Sequence, residues 1–190
     1  IDSAIFEAAG DQLQVVANYA VGFNNIDVES AKQHGVTITN TPGPEVNESV
    51  AEHVIALMFA LAHRIVETDD FARANKYKGW GPQMFLGTDV NKKTLGIVGM
   101  GRIGMQVAHR MHEGFGMKIL YNNLSRNEEA EKKYGAKKVS LSQLLKQSDF
   151  VTLRVPLLDA TRHLIGRKEL ATMKKTAFLI NTARGPVVDE

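Results

Sequence analysis

The 190-residue chain contains no cysteine, which excludes disulfides, thiolate metal sites and a thiol nucleophile and suits a reducing compartment, so cytoplasm is the expected location. Long apolar runs are missing too. The longest, Val54 to Ala62, sits between His53 and His63 and falls far short of the roughly 20 residues a membrane-spanning helix needs. No membrane partner is expected. Neither sign of charge dominates: 23 basic residues face 21 acidic ones, for a formal net charge of +2. Despite a pI of 8.8, that balance leaves no electrostatic footprint for nucleic acid, and Lys132-Lys133 and Lys174-Lys175 read as solvated helix ends. The opening residues do not read as a basic and apolar leader, Ile1 does not read as a natural start, and both ends read as cut. What is present is ordinary for a soluble globular protein, 44% hydrophobic and 23% charged, and long enough for one domain or one domain plus part of another.

Residues 14–18 predict a short buried strand, 26–34 a helix stopped by Gly35, and 36–39 a second strand. Thr41-Pro42-Gly43-Pro44 then breaks the pattern as a linker, which places a domain boundary between 42 and 43. Pro44 suits the first position of a helix, where its missing N–H costs nothing. Val50, Val54, Leu57, Met58, Leu61 and Ile65 recur at helical spacing, predicting one long helix from Pro44 to about Asn75, apolar enough around 54–62 to be buried on more than one side. From residue 94 the pattern alternates: strands at 95–99, 117–121, near 138, 149–155 and 176–181, helices at 102–113, 126–134, 141–146 and 167–173. Such alternation implies an α/β fold, a doubly wound parallel sheet with helices on both faces.

The stretch Leu95 to Gly104 runs a buried strand into Gly99-Met100-Gly101-Arg102-Ile103-Gly104 and on into an amphipathic helix. Gly99 allows the tight turn, Gly101 removes the side chain that would hold a diphosphate off the backbone, and Gly104 lets helix and strand pack closely. The helix N-terminus then supplies free N–H groups and a positive dipole end. A dinucleotide is the expected cofactor. At the end of the next strand, where NAD-specific sites place a carboxylate against the ribose 2′-hydroxyl, the chain reads Tyr121-Asn122-Asn123-Leu124-Ser125-Arg126. With no acid there, Ser125 and Arg126 point to NADP in preference to NAD; the alternative is a helix-capping serine followed by a solvated arginine.

The last strand leads into Asn181-Thr182-Ala183-Arg184-Gly185. Ligands of doubly wound sheets bind at the carboxyl ends of strands, so Arg184 stands where a guanidinium could grip a substrate carboxylate and polarise its carbonyl. Taken alone, an arginine in a turn is more often structural.

Together with Ala20 to Asp27, Asn40-Thr41-Pro42-Gly43, Ser49 to His53, and Val155-Pro156-Leu157 followed by Thr161 and His163-Leu164-Ile165, these motifs resemble the D-2-hydroxyacid dehydrogenase family from about Asn18 to Glu190. The resemblance implies hydride transfer between NAD(P)H and C2 of a 2-keto or 2-hydroxy acid, such as glyoxylate or hydroxypyruvate. It also implies a Rossmann-type cofactor domain at 43–190 and part of a smaller, flavodoxin-like substrate domain at 1–42. Arg184 would be the catalytic anchor for the substrate carboxylate, with the backbone amides of Val21 and Gly22 beside it. Cofactor contacts would fall on Arg102 and Ile103, on Ser125 and Arg126, on Val155, Pro156 and Thr161, and on Thr182, Ala183 and Arg184. The helix from Pro44 would pack across a homodimer interface. Some relatives of this fold instead serve as NAD(H)-sensing corepressor modules, a second reading that retains the cofactor and not the turnover.

Two departures accompany the resemblance. The family's catalytic histidine and its glutamate partner are expected beyond Glu190, and none of the six histidines present suits that role: His34, His53, His63, His109 and His112 read as packing or surface residues, and His163 matches a variable position. Arg154 stands where the family often has a smaller or neutral residue, and is expected either to add to the positive field for NADPH or to be exposed.

Overall fold

Leu95, Ile97 and Val98 are buried to within 1% of full coverage because the strand that carries them is central and covered on both faces, as the unbroken apolar run requires. The computed structural model describes all of residues 1–190, which divide into two compact units, Ile1–Val46 and Asn47–Glu190.

In the first unit, α1 (Ser3–Ala9) is capped by Asp2 and followed by a single 3-10 turn. Strands β1 (Val15–Ala17) and β2 (Thr37–Thr39) pair in parallel, joined through α2 (Val28–Gln33). Asp27 caps α2 through Ser30 N, and Gly35 ends it at a positive φ of 68°. Phe6, Ile26, Ala31 and Val36 form the core.

The second unit is built on five parallel strands: β3 (Thr94–Val98), β4 (Lys118–Asn122), β5 (Lys137–Lys138), β6 (Phe150–Leu153) and β7 (Phe178–Asn181), in the order β5-β4-β3-β6-β7. The order reverses at β3, which opens a crevice at the carboxyl ends of β3 and β6, the usual ligand position of such sheets. The crossover helices are α5 (Arg102–Phe115), α6 (Glu128–Tyr134), α7 (Leu141–Gln147) and α8 (Arg167–Thr172). Val107, Ala108 and Met111 of α5 pack with Ile97, Tyr121 and Phe150 on one face, and Leu144 and Leu145 of α7 with Val98, Val151 and Leu153 on the other.

The long helix predicted from Pro44 to Asn75 is instead two: α3 (Pro44–Ala62) and α4 (Ile65–Arg73), bent by 63°. Pro44 opens α3 as expected. The break is made at Arg64, in the left-handed region at φ 54°, by a loop from further along the chain. Thr88 N donates to the Ala62 carbonyl at 2.8 Å, Gly87 lies so close that a Cβ there would fall 2.5 Å from that oxygen, and the Phe85 ring sits under the Arg64 guanidinium at 5.1 Å. No proline or glycine within the helix announces this; the helix pattern is apolar on both sides of the bend. No single helix is long and apolar enough to cross a membrane.

Candidate functional site

The turn from β3 into α5 is shaped by three glycines for three separate reasons. Gly99 adopts φ 101°, and a Cβ there would fall 2.6 Å from the Arg154 carbonyl, so side chains are excluded by conformation and by space. Gly104, buried in the first turn of α5, would bring a Cβ to 2.5 Å from the Gly99 carbonyl. Gly101 is different: a Cβ there meets nothing within 4 Å. Its lack of a side chain serves nothing in the fold and leaves open space over the amino end of α5, where Gly101 stands as a cap residue without a capping side chain. Uncapped N–H groups and an open approach together make an anion seat. Arg102 is exposed at this end, and Ile103 is half-buried against the core.

Near the end of β4, Tyr121 anchors the loop that follows the strand. Burial pushes its phenol above the ordinary range, so it keeps its proton, donating to Glu131 Oε1 at 2.7 Å while accepting from Asn127 N at 2.8 Å. Glu131 also takes the Arg126 guanidinium in a salt bridge, and the Arg126 and Tyr121 hydrogen bonds hold its carboxyl below the usual range. Arg126 is therefore neither simply solvated nor uncompensated. Ser125 does not cap α6; Asn127 does, through Ala130 N. Lys138 Nζ reaches the Leu124 carbonyl at 2.8 Å, and a cavity of about 430 Å³ is lined by Arg126, Glu131, Lys137 and Lys138.

At the carboxyl end of β7, Asn181 shapes the Arg184 loop from both sides, its Nδ2 donating to the Arg184 carbonyl at 2.8 Å and its Oδ1 accepting from Ala183 N at 3.0 Å. Arg184 is extended and exposed, with Nη1 on the Ala183 carbonyl at 2.8 Å. After β6, Val155 packs on the core and Pro156 is exposed. The Thr161 hydroxyl donates to the Pro156 carbonyl at 2.6 Å and accepts from Leu158 N at 2.8 Å, so it closes its own loop. In the first unit, side-chain amides hold the carbonyls of Val21 (from Asn40, 2.9 Å) and Gly22 (from Asn18, 2.8 Å), which fixes those peptide planes.

Buried polar side-chain atoms without a partner occur in the second unit at Thr152, Arg154 and Thr182. Thr152 lies inside β6. Arg154 and Thr182 directly follow β6 and β7, at the edge where the glycine turn also opens, so unsatisfied polar atoms stand beside that turn. An open cradle with unsatisfied donors along one strand edge fits a dinucleotide. The roomier groove of about 1150 Å³, lined by Thr94, Lys118, Lys146 and Lys174 among others, lies at the amino ends of β3 and β4, away from this constellation.

Residues 55–190 match the family described as D-isomer specific 2-hydroxyacid dehydrogenase, NAD binding domain. The chain belongs to this family. Among similar relatives, the glyoxylate reductase of Korarchaeum cryptofilum is 52% identical over 100% of this chain, and that of Thermococcus litoralis 50% identical over 100%. The chain spans 57% of the length of each. The crystal structure of a glyoxylate reductase from Paecilomyes thermophila is 40% identical, covers 99% of this chain and 56% of its own, and superposes with a TM-score of 0.84.

In this family member, sequence reasoning missed two positioning residues. Asn127 caps α6 and also donates from Nδ2 to the Met100 carbonyl inside the glycine turn, at 3.0 Å; only its place before an acidic helix start could have signalled the cap. Asn181 was read as part of a motif without a role. Four of the six histidines have local side-chain partners: His34 contacts the Ser30 carbonyl, His112 the Met117 carbonyl, His63 stacks on Phe59, and His109 lies against Tyr134.

Proposed function

We propose that the chain is the cofactor-binding part of a reductase that delivers hydride from NADPH, in preference to NADH, to C2 of a 2-keto acid such as glyoxylate or hydroxypyruvate. The observation that carries the reading is the open space at Gly101 over the uncapped amino end of α5. A fold needs no glycine there; a diphosphate does.

Gly99, Gly101 and Gly104 shape the seat, and Arg102 and Ile103 flank the diphosphate. Ser125 and Arg126 meet the adenosine ribose, where Arg126 and Lys138 beside the same loop favour a 2′-phosphate and Glu131 tempers that preference. Val155, Pro156 and the loop closed by Thr161 line the cleft, and Thr182 and Ala183 border the nicotinamide. A bound nicotinamide supplies the hydride. Arg184, presented by the Asn181-braced loop, binds the substrate carboxylate and stabilises negative charge growing on the carbonyl oxygen. The first unit is part of a flavodoxin-like substrate domain, with Val21 and Gly22 as its candidate backbone donors to substrate. No histidine of this chain is assigned the proton donor. Leu61, Ile65, Val66, Tyr77 and Trp80 are exposed apolar residues on and after the bent helix pair, and a second copy of the protein is the partner proposed to cover them.

The test is glyoxylate- and hydroxypyruvate-dependent oxidation of NADPH and NADH by the full-length enzyme, followed by the loss of reduced-nicotinamide absorbance, with cofactor titration of this chain beside it. Turnover with tighter NADPH binding supports the reading. NADH binding as tightly or tighter refutes the cofactor preference, and tight binding with negligible turnover points to a sensing module instead.

A further inference from the structure

The carboxyl edge of the sheet holds a cation that neither the glycine turn nor the Arg184 loop explains. Arg154 directly follows β6. Its N–H donates to the Val98 carbonyl at 2.7 Å, and its own carbonyl is the atom that a Cβ at Gly99 would strike, so its backbone is locked beside the turn that opens α5. The side chain is not simply exposed: Nε and Nη2 are buried and have no partner. Burial pushes the guanidinium down to about 10, which leaves it charged at neutral pH. Charged nitrogens buried without a partner are unfavourable for the fold, and a ligand placed here would complete them.

Its direction follows from the strand. Phe150 packs in the cluster that holds Val107, Ala108 and Met111 of α5, whereas Val151 and Leu153 pack with α7. Continued alternation turns Arg154 onto the α5 face. Leu153 pairs with Asn181, so the next residue along brings Thr182 beside Arg154, and Thr182 Oγ1 is buried without a partner as well. Gly99, Arg154 and Thr182 thus follow neighbouring strands β3, β6 and β7, while Ser125 and Arg126 follow β4 on the other side of β3.

We propose that Arg154 is a second cationic ligand of the cofactor diphosphate, gripping it from the β6 side while the amino end of α5 holds it from the β3 side, with Thr182 Oγ1 as a neighbouring hydrogen-bond partner. This rests on the dinucleotide reading above and adds to it a division of labour. The diphosphate is common to both cofactors, so Arg154 strengthens NADH and NADPH alike, and discrimination is left to the loop after β4.

The test is calorimetric titration of the 190-residue chain, unsubstituted and as Arg154→Met and Arg154→Lys, with NADH and with NADPH, and with thermal melts of each unliganded protein. Met fills similar space without charge, so unliganded Arg154→Met is expected to melt at or above the unsubstituted temperature. Its affinity is expected to fall about 10- to 100-fold, the scale of a charged hydrogen bond, equally for both cofactors, with partial recovery in Arg154→Lys. Unchanged affinity in Arg154→Met overturns the assignment. So does a loss confined to NADPH, which would place the guanidinium at the 2′-phosphate. A melt lowered together with affinity would mark a structural role and likewise overturn it. If the unsubstituted chain binds neither cofactor, the dinucleotide reading itself falls; if it binds and Arg154→Met binds equally well, only this inference does.

Discussion

Asn127 ties the glycine turn to the next crossover: its Nδ2 donates to the Met100 carbonyl at 3.0 Å while its Oδ1 accepts from Ala130 N at 2.9 Å. One side chain therefore caps α6 and positions the loop on which a diphosphate would rest. Asn127→Ala is expected to cost about 1 kcal/mol, the usual value of a cap, and also to weaken NADH binding. Asn127→Asp keeps the capping acceptor and loses the donor to Met100, so it should bind more weakly at nearly unsubstituted stability. Denaturant midpoints and cofactor titrations separate the two effects; equal affinity in Asn127→Asp would deny the link any role in binding.

The glycines make a sharper pair. An alanine at Gly104 would press its Cβ to 2.5 Å from the Gly99 carbonyl, whereas one at Gly101 meets nothing. Gly104→Ala is expected to lose about 1–3 kcal/mol of stability, as overpacked sites do. Gly101→Ala should melt like the unsubstituted chain and lose most of its dinucleotide affinity. Normal binding by Gly101→Ala would remove the main support for the cofactor seat.

Glu131 offsets the charge of the loop after β4, since it pairs with Arg126. Glu131→Gln is expected to raise the NADPH-to-NADH affinity ratio several-fold, and Arg126→Ala to lower it, if ordinary ion-pair strengths apply. Competition binding with the two cofactors measures both. A ratio that ignores Arg126 would leave the 2′-phosphate reading without its cation.

Asp149 clasps the opposite end of the sheet, accepting from Thr94 N at 2.9 Å and from Lys174 Nζ at 2.8 Å. Burial pushes its carboxyl up, but those hydrogen bonds outweigh it and leave it below the ordinary aspartate range. A depressed carboxyl contributes stability above its unfolded pKa and loses it as pH falls through the folded value. Asp149→Asn should therefore be less stable than the unsubstituted chain at neutral pH, with the gap closing in acid below the ordinary aspartate range. Melting temperatures across that range decide the point; a constant gap would assign the effect to packing.

Much of this was legible in the residues. The strands at 95–99 and 117–121 and the helices at 102–113 and 141–146 fall within one or two residues of the observed elements, because burial period and helix caps are local properties. The single helix from Pro44 to Asn75 failed for the opposite reason: Thr88, far along the chain, donates its N–H to the Ala62 carbonyl where α3 ends, with Gly87 packed against it. The alternative reading of Ser125 as a helix cap does not hold, since Asn127 takes that position through Ala130 N.

The order of apolar and glycine residues by itself determined a parallel sheet, a turn open at Gly101 and an arginine after the last strand, since each depends on neighbours in the chain. Tertiary structure alone decided that Arg126 is partnered, that Nε and Nη2 of Arg154 are buried without a partner, and that Asn127 holds Met100. Those depend on which strand ends stand side by side, and the strand order β5-β4-β3-β6-β7 is set by packing between segments that the sequence keeps apart.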